Sequence, residues 1–396
     1  MRNDFDSTLV SRLRTSQTSR RRFLTGSVIG AATAFAGPSL LAACASGGSP
    51  STGPTLVPDD GSPATGTLRV SNWPLYIAEG FVADFQKATG LTVDYQENYN
   101  DDEQWFAKNR DPLANKQDIG CDLVVPSQVI AARLHGLGWL NEIRESRWPN
   151  KKNLQPALLN ASIDPGRKVT APYMSGMVGL AYNRAATGRD ITKVEDLWDT
   201  AFKGKVSMLS DTQDGLGMVM LSQGNSPESP TTESVQKAVD LIREQKDKGQ
   251  IRKFTGNDYA DDLAAGNIAI AQAYSGDVVQ LQADNPDLKF VIPEAGGTLT
   301  VQSMVIPYTT QNQKAAEAWI NYVYDRANYA KLVAYTRYIP VLTDMTDALN
   351  KVDPTAASNP LINPPKEVLD RVKQWPSLSD EQVKEFNTTY AAVTGS

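Results

Sequence analysis

Short apolar runs, each halted by a polar or aromatic cluster and then followed by helical periodicity, recur along this chain and constrain its fold class most. Residues 67–70, TLRV, stop at Ser71-Asn72-Trp73-Pro74-Leu75-Tyr76. Phe81, Phe85 and Ala88 then recur at helical spacing up to Gly90, a natural helix stop. Residues 91–95, LTVDY, alternate as a strand, and CDLVVPS reads as a buried strand ending at Pro126, followed by the helix QVIAARLHGLG. Strand and helix in that order imply an open, mostly parallel α/β sheet. At residues 168–183, KVTAPYMSGMVGLAYN, a long β-like run broken by Gly176 and Gly179 reads as a crossing between two lobes. A second set follows: VEDLWD as helix, GKVSML as strand, ESVQKAVDLIREQKDKG and YADDLAAG as helices, NIAIAQAY as strand. LKFVIPEAGG and SMVIPY add two more strands before a helical end, and no internal repeat is visible. The fold class expected is α/β, two-lobed, with a cleft between lobes.

The amino terminus is a separate matter. Arg20, Arg21 and Arg22 precede a small, apolar stretch over 23–43, the layout of an export signal. Ser19-Arg-Arg-Arg-Phe-Leu24 resembles a twin-arginine signal, and Leu41-Ala-Ala-Cys44 resembles a bacterial lipobox, in which the Cys is lipidated. A permanent membrane anchor is the alternative, disfavoured by Thr33, Gly37, Pro38 and Ser39 inside the run. Residues 1–43 are therefore expected to be a signal peptide. Residues 44–66, rich in Gly, Ser, Pro and Thr, are expected to be a flexible tether. The implied location is extracytoplasmic, lipid-anchored to the cell membrane on its periplasmic or surface side.

Charge and rare residues narrow the function. The whole chain has 39 basic and 45 acidic residues. Without the six Arg and two Asp of the first 44 residues, 33 face 43, a net charge of −10. Such a chain suits cations and is a poor nucleic-acid partner. Beyond Cys44 there is one cysteine, Cys121, so no disulfide forms within the mature chain, and the single histidine, His135, reads as a structural helix-end residue. Zinc hydrolysis or a Ser-His-Asp reaction would have to run on that one imidazole.

Ligands in open α/β sheets bind beyond the carboxyl ends of strands, and clefts between lobes are favoured sites. Beyond those ends lie Trp73 and Tyr76; Ser127; Asp211 and Asp214; Tyr274 and Asp277. Rings, hydroxyls and three carboxylates, without a basic side chain, suit an organic cation. Each residue also has a plainer role. Asp211, Asp214 and Asp277 fit helix N-termini, and Trp73 and Tyr76 fit a core.

These stretches, together with FQKATGLTVDYQENYNDDEQ, APYMSGMVGLAYN, YADDLAAGNIAIAQAYSGDVVQ and IPEAGG, occur in an order that resembles the spermidine/putrescine-binding proteins of bacterial ABC importers, a type II periplasmic-binding-protein-like family. The resemblance covers roughly residues 68–340. It implies lobe 1 from 67–175 and 275–338, and lobe 2 from 176–274 and 339–396. It implies a polyamine held by Trp73, Tyr76, Ser127, Asp211, Asp214, Tyr274, Asp277 and Gln302, with no cofactor and no catalysis. The partners implied are an ABC permease and, through the Cys44 lipid, the membrane; the protein is expected to be a monomer. Four positions depart from the family pattern: Pro74, Val129, and Thr300 and Gln302 where a Trp and an Asp are usual. The alternatives are the same fold with another cation, an opine or an amino-acid derivative, ferric ion held near Tyr335 and Tyr338, or an exported glycosidase using Asp211 and Asp277.

Overall fold

The computed structural model describes residues 58–99, 101–161, 163–376 and 378–395. The signal, Cys44 and the first part of the tether lie outside them. Ten strands form one sheet: β1 (Thr67–Asn72), β2 (Thr92–Glu97), β3 (Leu123–Val124), β4 (Thr170–Asn183), β5 (Val206–Leu209), β6 (Ile251–Thr255), β7 (Ile270–Tyr274), β8 (Leu288–Val291), β9 (Gly297–Val305) and β10 (Val372–Lys373). Their order is β2-β1-β3-β9-β4-β7-β5-β6, with β8 on β4 and β10 on β9. The helices that matter below are α1 (Phe81–Thr89), α2 (Asp102–Ala114), α3 (Gln128–Gly136), α4 (Thr212–Ser222), α5 (Thr232–Asp247), α6 (Tyr259–Ala264), α7 (Ser275–Gln282), α8 (Gln313–Val323), α9 (Arg326–Thr336) and α10 (Asp380–Thr394).

The sheet is parallel at both ends and antiparallel in the middle. β1 runs parallel to β2 and β3, and β5 runs parallel to β6 and β7. Between these sets β4 and β9 pair antiparallel from Thr170–Val305 to Val178–Thr298. Each parallel set has its own core. Leu68, Val70, Phe81, Phe85, Trp319 and Tyr324 are buried in the first; Leu180, Val206, Met208, Leu216, Ile242 and Tyr390 in the second. α1 shows how the sequence builds the first core: its buried Phe81 and Phe85 are one turn apart, their rings meet Trp319 of α8, and Gly90 ends the helix in the left-handed region at φ 74°. Within the expected tether, Asp59 and Asp60 are ion-paired with Arg147 and Lys314, so residues 58–66 lie along the first core. Among the described residues, no helix is long and apolar enough to cross a membrane.

Several elements differ from the sequence expectation. β4 is continuous, with an irregularity between Pro172 and Met174, and all its residues are buried. Its glycines do not break it; they admit neighbours. A Cβ on Gly179 would lie 2.5 Å from the Val291 carbonyl oxygen, and one on Gly176 would lie 2.8 Å from the Tyr338 ring. VEDLWD is a 3-10 turn, Val194–Trp198, and CDLVVPS contributes a strand of only two residues. β6, sequence IRKFT, lies at the sheet edge and lacks the apolar alternation that reveals a strand. Residues 341–362 contribute Val341, Leu349 and Ile362 to the first core, whereas Trp375, Phe386 and Tyr390 belong to the second.

Tyr338 is the joint between core and cleft, and it needs glycine opposite it. A Cβ on Gly276 in α7 would stand 2.1 Å from its ring. Gly276→Ala is expected to lower unfolding free energy by about 1–3 kcal/mol through overpacking, read as a lower urea midpoint. An unchanged midpoint would mean the ring moves aside freely.

Candidate functional site

The carboxyl ends of β1, β2, β5, β6 and β7 converge on one polar circuit. At the end of β1, Leu75 turns the chain with a left-handed φ of 58°, leaving Trp73 and Tyr76 on either side of the turn. The Trp73 indole N–H donates to the Val125 carbonyl at 2.8 Å, and its ring centroid lies 4.5 Å from that of Tyr99, beyond β2. The Tyr99 hydroxyl donates to Asp102, the first residue of α2. The Ser127 backbone N–H makes a long, 3.4 Å approach to the same carboxylate, while the Ser127 hydroxyl caps α3. Ser127 also faces Gln302 of β9 across an isolated bridge. The Gln302 side-chain Oε1 accepts from the Tyr76 hydroxyl at 2.9 Å.

The second lobe supplies Asp211, Asp214, Tyr259 and Tyr274, joined by Asp277 of α7 and by Tyr338 of the first core. Asp211 follows β5 and caps α4, accepting the N–H groups of Gln213 at 2.9 Å and Asp214 at 3.0 Å. Asp214 receives the Tyr274 hydroxyl at 2.8 Å. The Tyr274 backbone N–H donates to the Tyr259 hydroxyl at 2.9 Å, which in turn donates to Asp277 at 2.7 Å. Asp277 also accepts from Asn257 at 3.0 Å and from Tyr338 at 2.8 Å. The Tyr338 ring meets Tyr76 edge-on at 5.1 Å and joins the two sets of contacts.

All eight residues expected from the sequence therefore belong to one connected arrangement. The capping role weighed for Asp211 is real, and it coexists with a place in the cleft. Asp277 is not an N-cap residue; it lies in the first turn of α7, and its carboxylate is held by hydroxyl and amide donors. Sequence reasoning missed Asp102, Tyr99, Asn257 and Tyr259, and it considered Tyr338 only as an iron ligand. Asp102 had a usable signal, because it lies beyond the carboxyl end of β2. Asn257 and Tyr259 lie beyond β6, which apolar alternation does not disclose.

The electrostatics of this circuit set it apart from the rest of the molecule. Elsewhere, two buried acids meet arginines, Asp122 with Arg69 at 2.8 Å and Glu317 with Arg144 at 2.6 Å, while buried Asp164 is held by the Lys168, Val169 and Thr170 N–H groups and the Thr170 hydroxyl. Among the described residues, no basic side chain pairs with Asp102, Asp211, Asp214 or Asp277. Burial, followed by the charge of Asp211, pushes the Asp102 carboxyl up to about 7. Burial pushes Asp211 up to about 6, against the pull of the α4 N–H groups. Asp214 is raised by burial and then by Asp211. Asp277 is raised by burial, partly offset by its hydroxyl and amide donors. Partly buried carboxylates without counter-ions are costly, and a bound cation relieves that cost.

A carboxyl raised in the folded state favours folding at acid pH, and that contribution is lost as pH rises through the folded pKa. For Asp211 the window runs from the ordinary aspartate value to about 6. Asn retains the N-cap geometry. Ligand-free Asp211→Asn is therefore expected to be more stable than the parent at pH 8 by about 1–3 kcal/mol, with the gain gone near pH 4. Urea unfolding at both pH values checks this; an equal difference at both would contradict it.

Residues 80–364 match the family of bacterial extracellular solute-binding proteins. The spermidine/putrescine-binding periplasmic protein of Escherichia coli is 28% identical over 305 residues, covering 76% of this chain and 84% of that protein. The putrescine-binding periplasmic protein SpuD of Pseudomonas aeruginosa is 29% identical over 357 residues, covering 82% and 91%. Among solved structures, the TpPotD lipoprotein of Treponema pallidum superposes with a TM-score of 0.72 at 22% identity, covering 83% of this chain and 100% of that one. This chain, a two-lobed α/β protein, belongs to the bacterial extracellular solute-binding protein family.

Proposed function

We propose that this protein captures a polyamine of the spermidine or putrescine type between its lobes and delivers it to an ABC permease. The observation that carries the reading is the set of four carboxylates, Asp102, Asp211, Asp214 and Asp277, held by tyrosines, hydroxyls and N–H groups and by no basic side chain among the described residues. The names of the E. coli and P. aeruginosa relatives point to the same ligand class. The mechanism is binding without bond making: ammonium groups replace the missing counter-ions, and Trp73 supplies an aromatic face, while Tyr76 is buried against Tyr173 and Tyr338. Charge-assisted hydrogen bonds are about twice as strong as neutral ones. A micromolar affinity needs about −8 kcal/mol, within reach of two such contacts plus stacking after ordering costs. Closure follows because only the closed cleft lets one ligand touch both lobes.

The lobe division belongs to this proposal in amended form. Residues 67–175 form the first lobe and 176–274 the core of the second. Residues 341–362 join the first lobe, because Val341, Leu349 and Ile362 are buried there. Cys44 is proposed as the lipidated first residue of a mature, monomeric protein. Mass spectrometry of the membrane fraction would detect an acylated Cys44 peptide, and an unmodified one would remove the anchor.

A second reading keeps the fold and changes the ligand. Gln302 is neutral and engaged by Tyr76 and Thr300. That end of the cleft carries no charge of its own, which suits a cation with an uncharged end, such as an amino-acid derivative. Calorimetric titration with diamines, triamines and mono-acylated diamines separates the two. At least one di- or triamine is expected to bind, and Asp211→Asn or Asp277→Asn to weaken it more than about tenfold, the loss of one charge-assisted contact. Flat titrations across the amines would retire the polyamine reading.

A further inference from the structure

Asp102 stands on the first lobe, and Asp211 and Asp214 on the second. Two hydrogen bonds between lobes bracket it. Next to Asp102, the Glu103 carboxylate accepts from Asn387 of α10 at 2.9 Å. Next to Ser127, the Gln128 side-chain oxygen accepts from Gln374, just beyond β10, at 3.3 Å. The starts of α2 and α3 are thus docked on the second lobe, and Asp102 comes within electrostatic reach of Asp211 and Asp214. The groups facing these acids are Tyr99 beyond β2, the Ser127 N–H of α3, Asp101 and Glu103 beside Asp102, and Tyr274 and Tyr390 against Asp214 and Asp211. The basic groups of this face, Arg110, Arg133 and Lys384, line a cavity of about 410 Å³ whose lining includes Glu103 and none of the three clustered acids. Arg133 is already engaged there, 3.4 Å from Glu103 and 3.6 Å over the Phe106 ring.

We infer that Asp102 makes lobe closure conditional on charge: with the cleft empty and Asp102, Asp211 and Asp214 ionised, the lobes stand apart, and either a cation or protons bring them together. The contacts observed between lobes here are hydrogen bonds of modest net strength. They oppose repulsion among carboxylates in a partly buried, weakly screened site. A ligand can shift the equilibrium only by its differential affinity for the closed state, and neutralising three like charges supplies that difference. Protons supply it equally, because each removes one charge from the same cluster. The inference rests on reading the cleft as the ligand site, yet its test needs no ligand.

Small-angle scattering of ligand-free protein in amine-free phosphate and acetate buffers, from about pH 5 to pH 8, measures closure through the radius of gyration. The wild type is expected to be compact at pH 5 and to expand as pH rises through about 6 to 7, the range of Asp211 and Asp102. Asp102→Asn is expected to stay compact at pH 8, with a closed-to-open ratio at least about tenfold above wild type. Asp211→Asn should do the same from the opposite lobe, and the double variant should add little, as for a coupled pair. Glu103→Gln, which keeps the acceptor for Asn387 but removes one charge facing Asp211, should shift the curve in the same direction by less than Asp102→Asn. A pH-independent radius in the wild type would overturn the inference, as would wild-type pH curves in both Asp102→Asn and Asp211→Asn; the second variant keeps the test decisive if the first folds poorly. Failure of every polyamine to bind would sink the ligand reading and leave this result standing.

Discussion

Four aspartates share one cleft with no lysine or arginine to answer them among the described residues. Everything about the site follows from how they are held. Tyr99, Tyr259, Tyr274 and Tyr338 each donate a hydroxyl toward one of them, and the N-terminal N–H groups of α4 serve Asp211. Hydroxyls and amides orient a carboxylate without cancelling its charge. The result is a negative, aromatic-walled cleft with fixed geometry and standing electrostatic strain. The same chain supplies arginine to Asp122 and Glu317, where an acid serves stability. Four acids gathered without such a partner would, in the proposed function, take the missing charge from a bound cation.

The sheet explains how residues so far apart in sequence come to face one another. Parallel strands direct their carboxyl ends to one side, so β1 and β2 on one lobe and β5, β6 and β7 on the other all deliver their following residues to the same region. β4 and β9 link the lobes, and their close packing against Tyr338 and Val291 is possible only because Gly176 and Gly179 lack side chains. Tyr338 ties this strap to the cleft through Asp277 and meets Tyr76 of the first lobe. Tyr338 thus joins the packing of the core to the proposed ligand site, and a change at Gly276 would be felt at its ring.

Much of this was legible in the sequence, for definable reasons. Apolar runs with helical sequels disclosed most of the strands, and strand ends then disclosed Trp73, Tyr76, Ser127, Asp211, Asp214, Tyr274 and Asp277. The family resemblance added Gln302, which the structure places between Tyr76 and Ser127. Hidden from view were features with no local signature. β6 is an edge strand of polar sequence, so Asn257 and Tyr259 beyond it went unseen. Asp102 looks like one acid among several at a helix start until the fold sets it against Asp211. Gly176 and Gly179 look like strand breakers when read locally and are packing devices in the sheet.

In the proposed function, uncompensated carboxylates receive a cation. This has a direct thermodynamic signature. Carboxyls raised toward neutrality hold protons in the empty cleft and must release them when ammonium groups arrive. Titration calorimetry of the tightest-binding polyamine near pH 6.5, repeated in buffers of different ionisation enthalpy, counts those protons. Net proton release on binding is expected, diminished in Asp102→Asn. Zero exchange, or net uptake, would mean that these acids are not what the ligand neutralises.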